Sequence, residues 1–136
     1  MRGRGFLDLA KEVVAGPTEY HWRGAAIHAY YALFLECRDA LLRWGFVIPR
    51  GVNVHAQVRL KLTYAKDADL QRLGWALDDL VKLRNDANYD LSALPDFASD
   101  TEAQKAIRET DNSLALLDAI EADPARLAAA KAAIGP

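Results

Sequence analysis

Seven consecutive residues, Arg84-Asn85-Asp86-Ala87-Asn88-Tyr89-Asp90, form the densest set of side chains able to do chemistry. On a helix, Arg84 and Asn88 are i, i+4 neighbours, and so are Asn85 and Tyr89, so four polar groups converge near one end. A guanidinium is a planar fork suited to phosphate, and the two amides beside it can donate or accept. The same cluster has a plainer reading, in which the arginine stem packs on a bundle and its head pairs with an Asp or a helix C-terminus. Arg84 stands out by its position. Leu70, Leu73, Leu77 and Leu80 recur in steps of three and four, and those steps continue through residue 84 to Ala87 and Leu91. A charge on that apolar stripe keeps water or a partner beside it.

Other reactive residue types are sparse. His21 and His28 are two helical turns apart, but no third ligand is spaced to complete a metal site with them. His55 stands at a helix entrance, where a capping or packing role is the first reading. Tyr30, Tyr31, Phe34 and Trp44 fall on an apolar helix, as core rather than as stacking platforms for bases. Cys37 is the only cysteine, so no intramolecular disulfide forms, and an apolar helix without an activating base makes it an inert packing thiol. These residues imply no metal and no cofactor.

The elements that must position Arg84 read as helices almost throughout. Phe6, Leu9, Ala10, Val13 and Val14 make an amphipathic opening helix that stops at Gly16-Pro17. Thr18 then caps a second helix running to Trp44, with Gly45 in the left-handed C-terminal position. This helix is apolar nearly all round between Ala25 and Leu35, which predicts the most buried position. A loop over 45–54, containing Pro49 and Gly51, leads to a short helix over His55 to Tyr64. Asp67 and Asp69 open the Arg84 helix, about Ala68 to Leu91. After a break at Pro95, Ser99 and Glu102 form a capping-box pattern for another helix through Ile107, Leu114, Leu117 and Ile120. Asp123-Pro124 opens a short Ala-rich helix. Short connections between long helices favour antiparallel neighbours, hence an all-α, up-and-down bundle of four to five helices.

Composition agrees. The 136 residues, 51% hydrophobic and 26% charged, suit one domain spanning 1–136 that buries about 68–70% of its unfolded surface. No apolar run is long enough to span a bilayer, and charges at Asp8, Lys11 and Glu12 interrupt any signal peptide, so a cytoplasmic protein with no membrane partner is expected. The net charge of −2 argues against bulk coating of nucleic acid. Residues 1–66 nevertheless carry ten Lys/Arg against five Asp/Glu, and residues 67–136 seven against fourteen. This asymmetry reads either as two solvated faces or as a basic surface able to meet RNA phosphates or an acidic partner.

The stretch Arg23-Gly24-Ala25-Ala26-Ile27-His28-Ala29-Tyr30-Tyr31-Ala32-Leu33-Phe34 resembles the R-A-x-x-R-A-Y-Y-A-L-F helix of HEPN-domain proteins. His55-Ala56-Gln57-Val58 resembles their short helix entered by His, and the R-N-D-A-N-Y-D-L ending of the Arg84 helix is similar to an L-R-x-x-A-D-Y-D ending in small prokaryotic members. The similarity covers about residues 6–120. It implies a HEPN-like bundle that homodimerises and has an RNA-directed role in a toxin–antitoxin or defence system, often beside a minimal nucleotidyltransferase. Ribonuclease members follow their Arg and polar residue with a His that meets its counterpart across the dimer. Here Arg84 and Asn85 match the start, but Tyr89 occupies the His position.

An unperturbed phenol titrates about three units too high for proton transfer near neutrality. The resemblance therefore implies binding by Arg84, Asn88, Arg23 and His28 rather than standard cleavage by Arg84, Asn85 and Tyr89. A metal-independent ribonuclease using Arg84 with Tyr89 or His28 stays open as the alternative. So does a helical interaction protein with no nucleic-acid role.

Overall fold

A computed structural model describes residues 1–50 and 53–135. Within them the chain forms six α-helices and one 3-10 turn, with no strand: α1 (Gly5–Val14), α2 (Glu19–Arg43), α3 (Val54–Thr63), α4 (Ala68–Tyr89), α5 (Thr101–Ala122) and α6 (Pro124–Ala133), the turn being Pro95–Phe97. No helix among the described residues is long and apolar enough to cross a membrane. Gly51, placed in the loop by its sequence, lies outside the described residues.

α2 is the central helix, as its nearly continuous apolar surface requires. It buries Ala25, Ala26, Ala29, Tyr30, Ala32, Leu33, Phe34, Cys37, Ala40 and Leu41. Small residues on three sides let α1, α4 and α5 approach closely, and all three pack on it. Cross-helix pairs fix the directions. Phe6 stacks on His28 while Val13 lies against Gly24, so α1 runs antiparallel to α2. Arg23 reaches the end of α4 and Tyr30 lies under Arg84, so α4 is antiparallel too. Thr110 donates to the Ala29 carbonyl and Arg43 pairs with Glu121, so α5 runs parallel to α2. The result is an up-and-down four-helix bundle, with α3 inserted against α4 and α6 folded onto α5.

Several ends follow from local chemistry. Gly45 has φ +94°, the left-handed position that stops α2 without a Cβ clash. Asp123 accepts from the amides of Ala125 and Arg126, the cap its sequence predicts. Asp67, expected to supply negative charge at the start of α4, also caps it by accepting from the amides of Asp69 and Leu70. Other ends differ. Thr18 stands at the start of α2, but its hydroxyl bonds His21 Nδ1 at 2.6 Å instead of a helix amide. α3 is capped by Asn53, whose side chain accepts from the Ala56 amide at 3.1 Å. His55 is thereby released from capping. The Ser99–Glu102 capping box does not form: Ser99 turns to Thr101, and α5 begins after Asp100 with no side-chain cap.

The apolar stripe of α4 buries Leu70, Leu73, Leu77, Leu80 and Ala87. It stops short of Leu91, which is 80% exposed because the helix ends at Tyr89.

Candidate functional site

Arg84 emerges where α2, α3 and α4 meet. The helical step from Leu80 turns it toward α2, where the adjacent tyrosines 30 and 31 present their rings. Its guanidinium carbon lies 5.0 Å from the Tyr30 centroid and 5.5 Å from that of Tyr31, within cation–π range of both. Arg84 is half-buried, and its Nε is buried without a hydrogen-bond partner. The ion pairs of α4 among the described residues use Asp69, Arg72, Asp78 and Lys82, and none includes Arg84. The guanidinium thus rests on aromatic faces with no carboxylate among the described residues to neutralise it.

Behind it stands a pair that the sequence reading assigned to packing. The Tyr30 hydroxyl hydrogen-bonds His55 Nδ1, and the imidazole stacks on Phe34 with centroids 4.1 Å apart at 15°. Burial pushes the Tyr30 phenol up to about 12, with Arg84 pulling only partly the other way. Burial and then the charge of Arg84 hold His55 below the ordinary imidazole range. With both groups neutral, the phenol donates to Nδ1 when the imidazole carries its proton on Nε2. Arg59 adds a second positive charge near Tyr30. The chemistry on offer is an anion held by a guanidinium, with aromatic faces and an imidazole N–H beside it.

The other residues singled out from sequence scatter around this point. Asn85, Asn88 and Tyr89 are exposed, Tyr89 at 76%, and no hydrogen bond among the described residues joins any of them to Arg84. The five-residue step puts Tyr89 about 140° around the helix from Arg84, so they share no face.

Arg23 has a different role from phosphate contact. It is only 7% exposed, and its Nη1 donates to the carbonyls of Asp86, Ala87 and Asp90, while Nη2 donates to Ser92 O and Glu19. Its plane also covers Phe97 at 4.7 Å. This guanidinium closes the C-terminus of α4, satisfying carbonyls that the helix cannot. His28 stacks on Phe6, with Nδ1 buried and unpartnered, and burial lowers its pKa. His21 turns away to Thr18 and Tyr20.

No group of His, Cys, Asp and Glu among the described residues is arranged to hold a metal. Burial raises the Cys37 thiol to about 12, which keeps it an unreactive core group. A groove of about 710 Å³ runs between α4 and α5, lined by Asp79, Lys82, Lys105, Arg108 and Glu109, but Arg84 does not open into it. Its mixed charges favour no single ligand, and the unpaired guanidinium makes the α2–α3–α4 junction the stronger candidate.

No family model, no curated protein and no solved structure matches this chain.

Proposed function

We propose that this chain is an RNA- or nucleotide-binding helical module of HEPN type that works as a homodimer, with a minimal nucleotidyltransferase as partner in a toxin–antitoxin or defence setting. The observation that carries the reading is Arg84, a guanidinium without a carboxylate, laid over two tyrosine rings at a helix junction. Phosphate would satisfy the fork, and an unstacked base would find Tyr31 beside it. A second protomer packed against this edge would shield the charge from bulk water and bring two such arginines to one cleft.

Binding rather than turnover is proposed because Tyr89, which occupies the position of the ribonuclease His, sits away from Arg84 on the helix surface. The test is titration of fluorescent single-stranded RNA against wild type and Arg84→Ala at several salt concentrations, alongside incubation with mixed RNA under chelator. Few cations contribute, so the log–log salt slope should be about −2 to −4, and Arg84→Ala should make it shallower by about one. Equal binding by the two proteins would favour a helical interaction protein. Metal-independent cleavage abolished by Arg84→Ala would install the ribonuclease reading instead. Light scattering tests the dimer, and a monomer at micromolar concentration overturns that part.

A further inference from the structure

We propose that His55 couples anion binding at Arg84 to protonation: the imidazole takes up one solvent proton as a phosphate or sulfate group settles on the guanidinium. The inference rests on the reading that Arg84 holds an anion.

Three helices bring these groups together. α2 supplies Tyr30 and Tyr31, α3 supplies His55 and Arg59, and α4 supplies Arg84. His55 lies flat on Phe34 with Nδ1 on the Tyr30 hydroxyl, while Arg84 covers the ring of that same tyrosine. Asp78 of α4 is occupied by Lys82 at 2.9 Å and leans on Arg59 at 3.8 Å. The charged groups that bear on the imidazole and its phenol are therefore cationic, and the titratable ones are the two tyrosines.

With the neutral imidazole as its Nε2–H tautomer, the Tyr30–His55 hydrogen bond uses the phenol proton, which is then not free for an anion. Protonation of His55 reverses the bond. Nδ1–H then donates to the Tyr30 oxygen, and the phenol O–H is released to donate toward an anion on Arg84. Nε2–H is a donor in both states. The positive ring is opposed by the neighbouring arginines until an anion offsets them, so the anion favours the proton and the proton favours the anion by the same factor. Burial and Arg84 already depress the imidazole, which places it on the neutral side at physiological pH.

The test uses fluorescent single-stranded RNA, whose phosphodiesters keep their charge between pH 8 and pH 5, at fixed ionic strength. Wild-type affinity should rise by about five- to tenfold as one imidazole titrates, the gain expected of a pKa shift approaching one unit. His55→Gln, which keeps polar contact but cannot titrate, should bind with a flat pH profile, whereas His28→Gln should keep the slope. Nitrogen NMR of the wild-type imidazoles gives a readout independent of how the variants fold: sulfate should raise the apparent pKa of His55. A flat wild-type profile with binding still sensitive to Arg84→Ala overturns the coupling and leaves the Arg84 reading standing. A slope that disappears in His28→Gln and persists in His55→Gln overturns it as well. Absence of RNA binding at every pH overturns both.

Discussion

Arg23 and Arg84 both meet α2 and the end of α4, yet their surroundings give them different roles. Arg23 answers four carbonyls around the end of α4 and is nearly buried, so Arg23→Ala leaves those acceptors unsatisfied. A loss of about 2–4 kcal/mol is expected in urea unfolding, and Arg23→Lys should recover little of it because an ammonium lacks the fork. Arg84→Ala should cost far less stability, because no ion pair is broken. The histidines supply a second residue-scale prediction. His28 and His55 are both held below the ordinary imidazole range, largely by burial. Between those lowered values and about 6.5 the unfolded chain binds more protons, so stability rises with pH across that window and falls on acidification. Glu109, raised by burial and by Asp79, works in the opposite direction from its own higher value down to about 4.3. Melting temperatures at pH 7.5 and pH 5.5 for wild type and for His28→Gln with His55→Gln isolate the imidazoles, and the double variant should show the smaller acid loss.

At the scale of elements, two contacts decide how helices meet and end. At Gly74 α4 packs tightly against α3, and a Cβ there would stand 2.6 Å from the Thr63 amide nitrogen. Gly74→Ala would gain about 1 kcal/mol of helix propensity in an isolated helix. Here it must push two backbones apart, and a net destabilisation of about 1–3 kcal/mol is expected by denaturant titration. An unchanged or improved midpoint would show that α3 shifts without cost. The α5–α6 corner depends on Asp123, which caps α6 through two amides. Asp123→Ala should remove about 1 kcal/mol, with hydrogen exchange quickening in α6 before the four central helices.

Across the whole molecule, a buried carboxylate fastens the N-terminal segment. Glu36 is 1% exposed on α2 and receives the Arg4 amide, Arg4 Nε at 2.8 Å and Arg2 at 3.1 Å, while Arg4 also pairs with Asp118 of α5. Burial pushes the Glu36 carboxyl up, but the Arg4 hydrogen bonds and the two positive charges outweigh it and hold it below the ordinary range. The stability it contributes is present above about pH 4.3 and is lost as pH falls through the lowered value. Glu36→Gln should cost about 2–3 kcal/mol at neutral pH and lessen the acid sensitivity below that point, both measured by unfolding across pH. The cost sits at the low end because the released arginines reach water. The clamp also shows where some of the first half's positive charge goes: Arg2, Arg4, Arg23 and Arg43 are engaged with carboxylates or carbonyls.

Periodicity, aspartates at helix starts and the glycine at Gly45 were enough to read an all-helical chain, the central place of α2 and the leucine stripe of α4, because these depend on residues three or four apart. Arg84 was legible for the same reason, as a charge interrupting a local apolar pattern. The end of α4 was not legible, because Arg23 closes it from more than sixty residues away. Neither was the pairing of Tyr30 with His55, twenty-five positions apart, since each alone looks like a core or capping residue. The capping box at Ser99 failed because Ser99 bonds Thr101 locally instead. Local spacing determined which segments are helices and which faces are apolar. Only the packing of α2, α3 and α4 decided which arginine is consumed by the backbone and which is left unpaired, because hydrogen-bond partners distant in sequence are chosen by the fold.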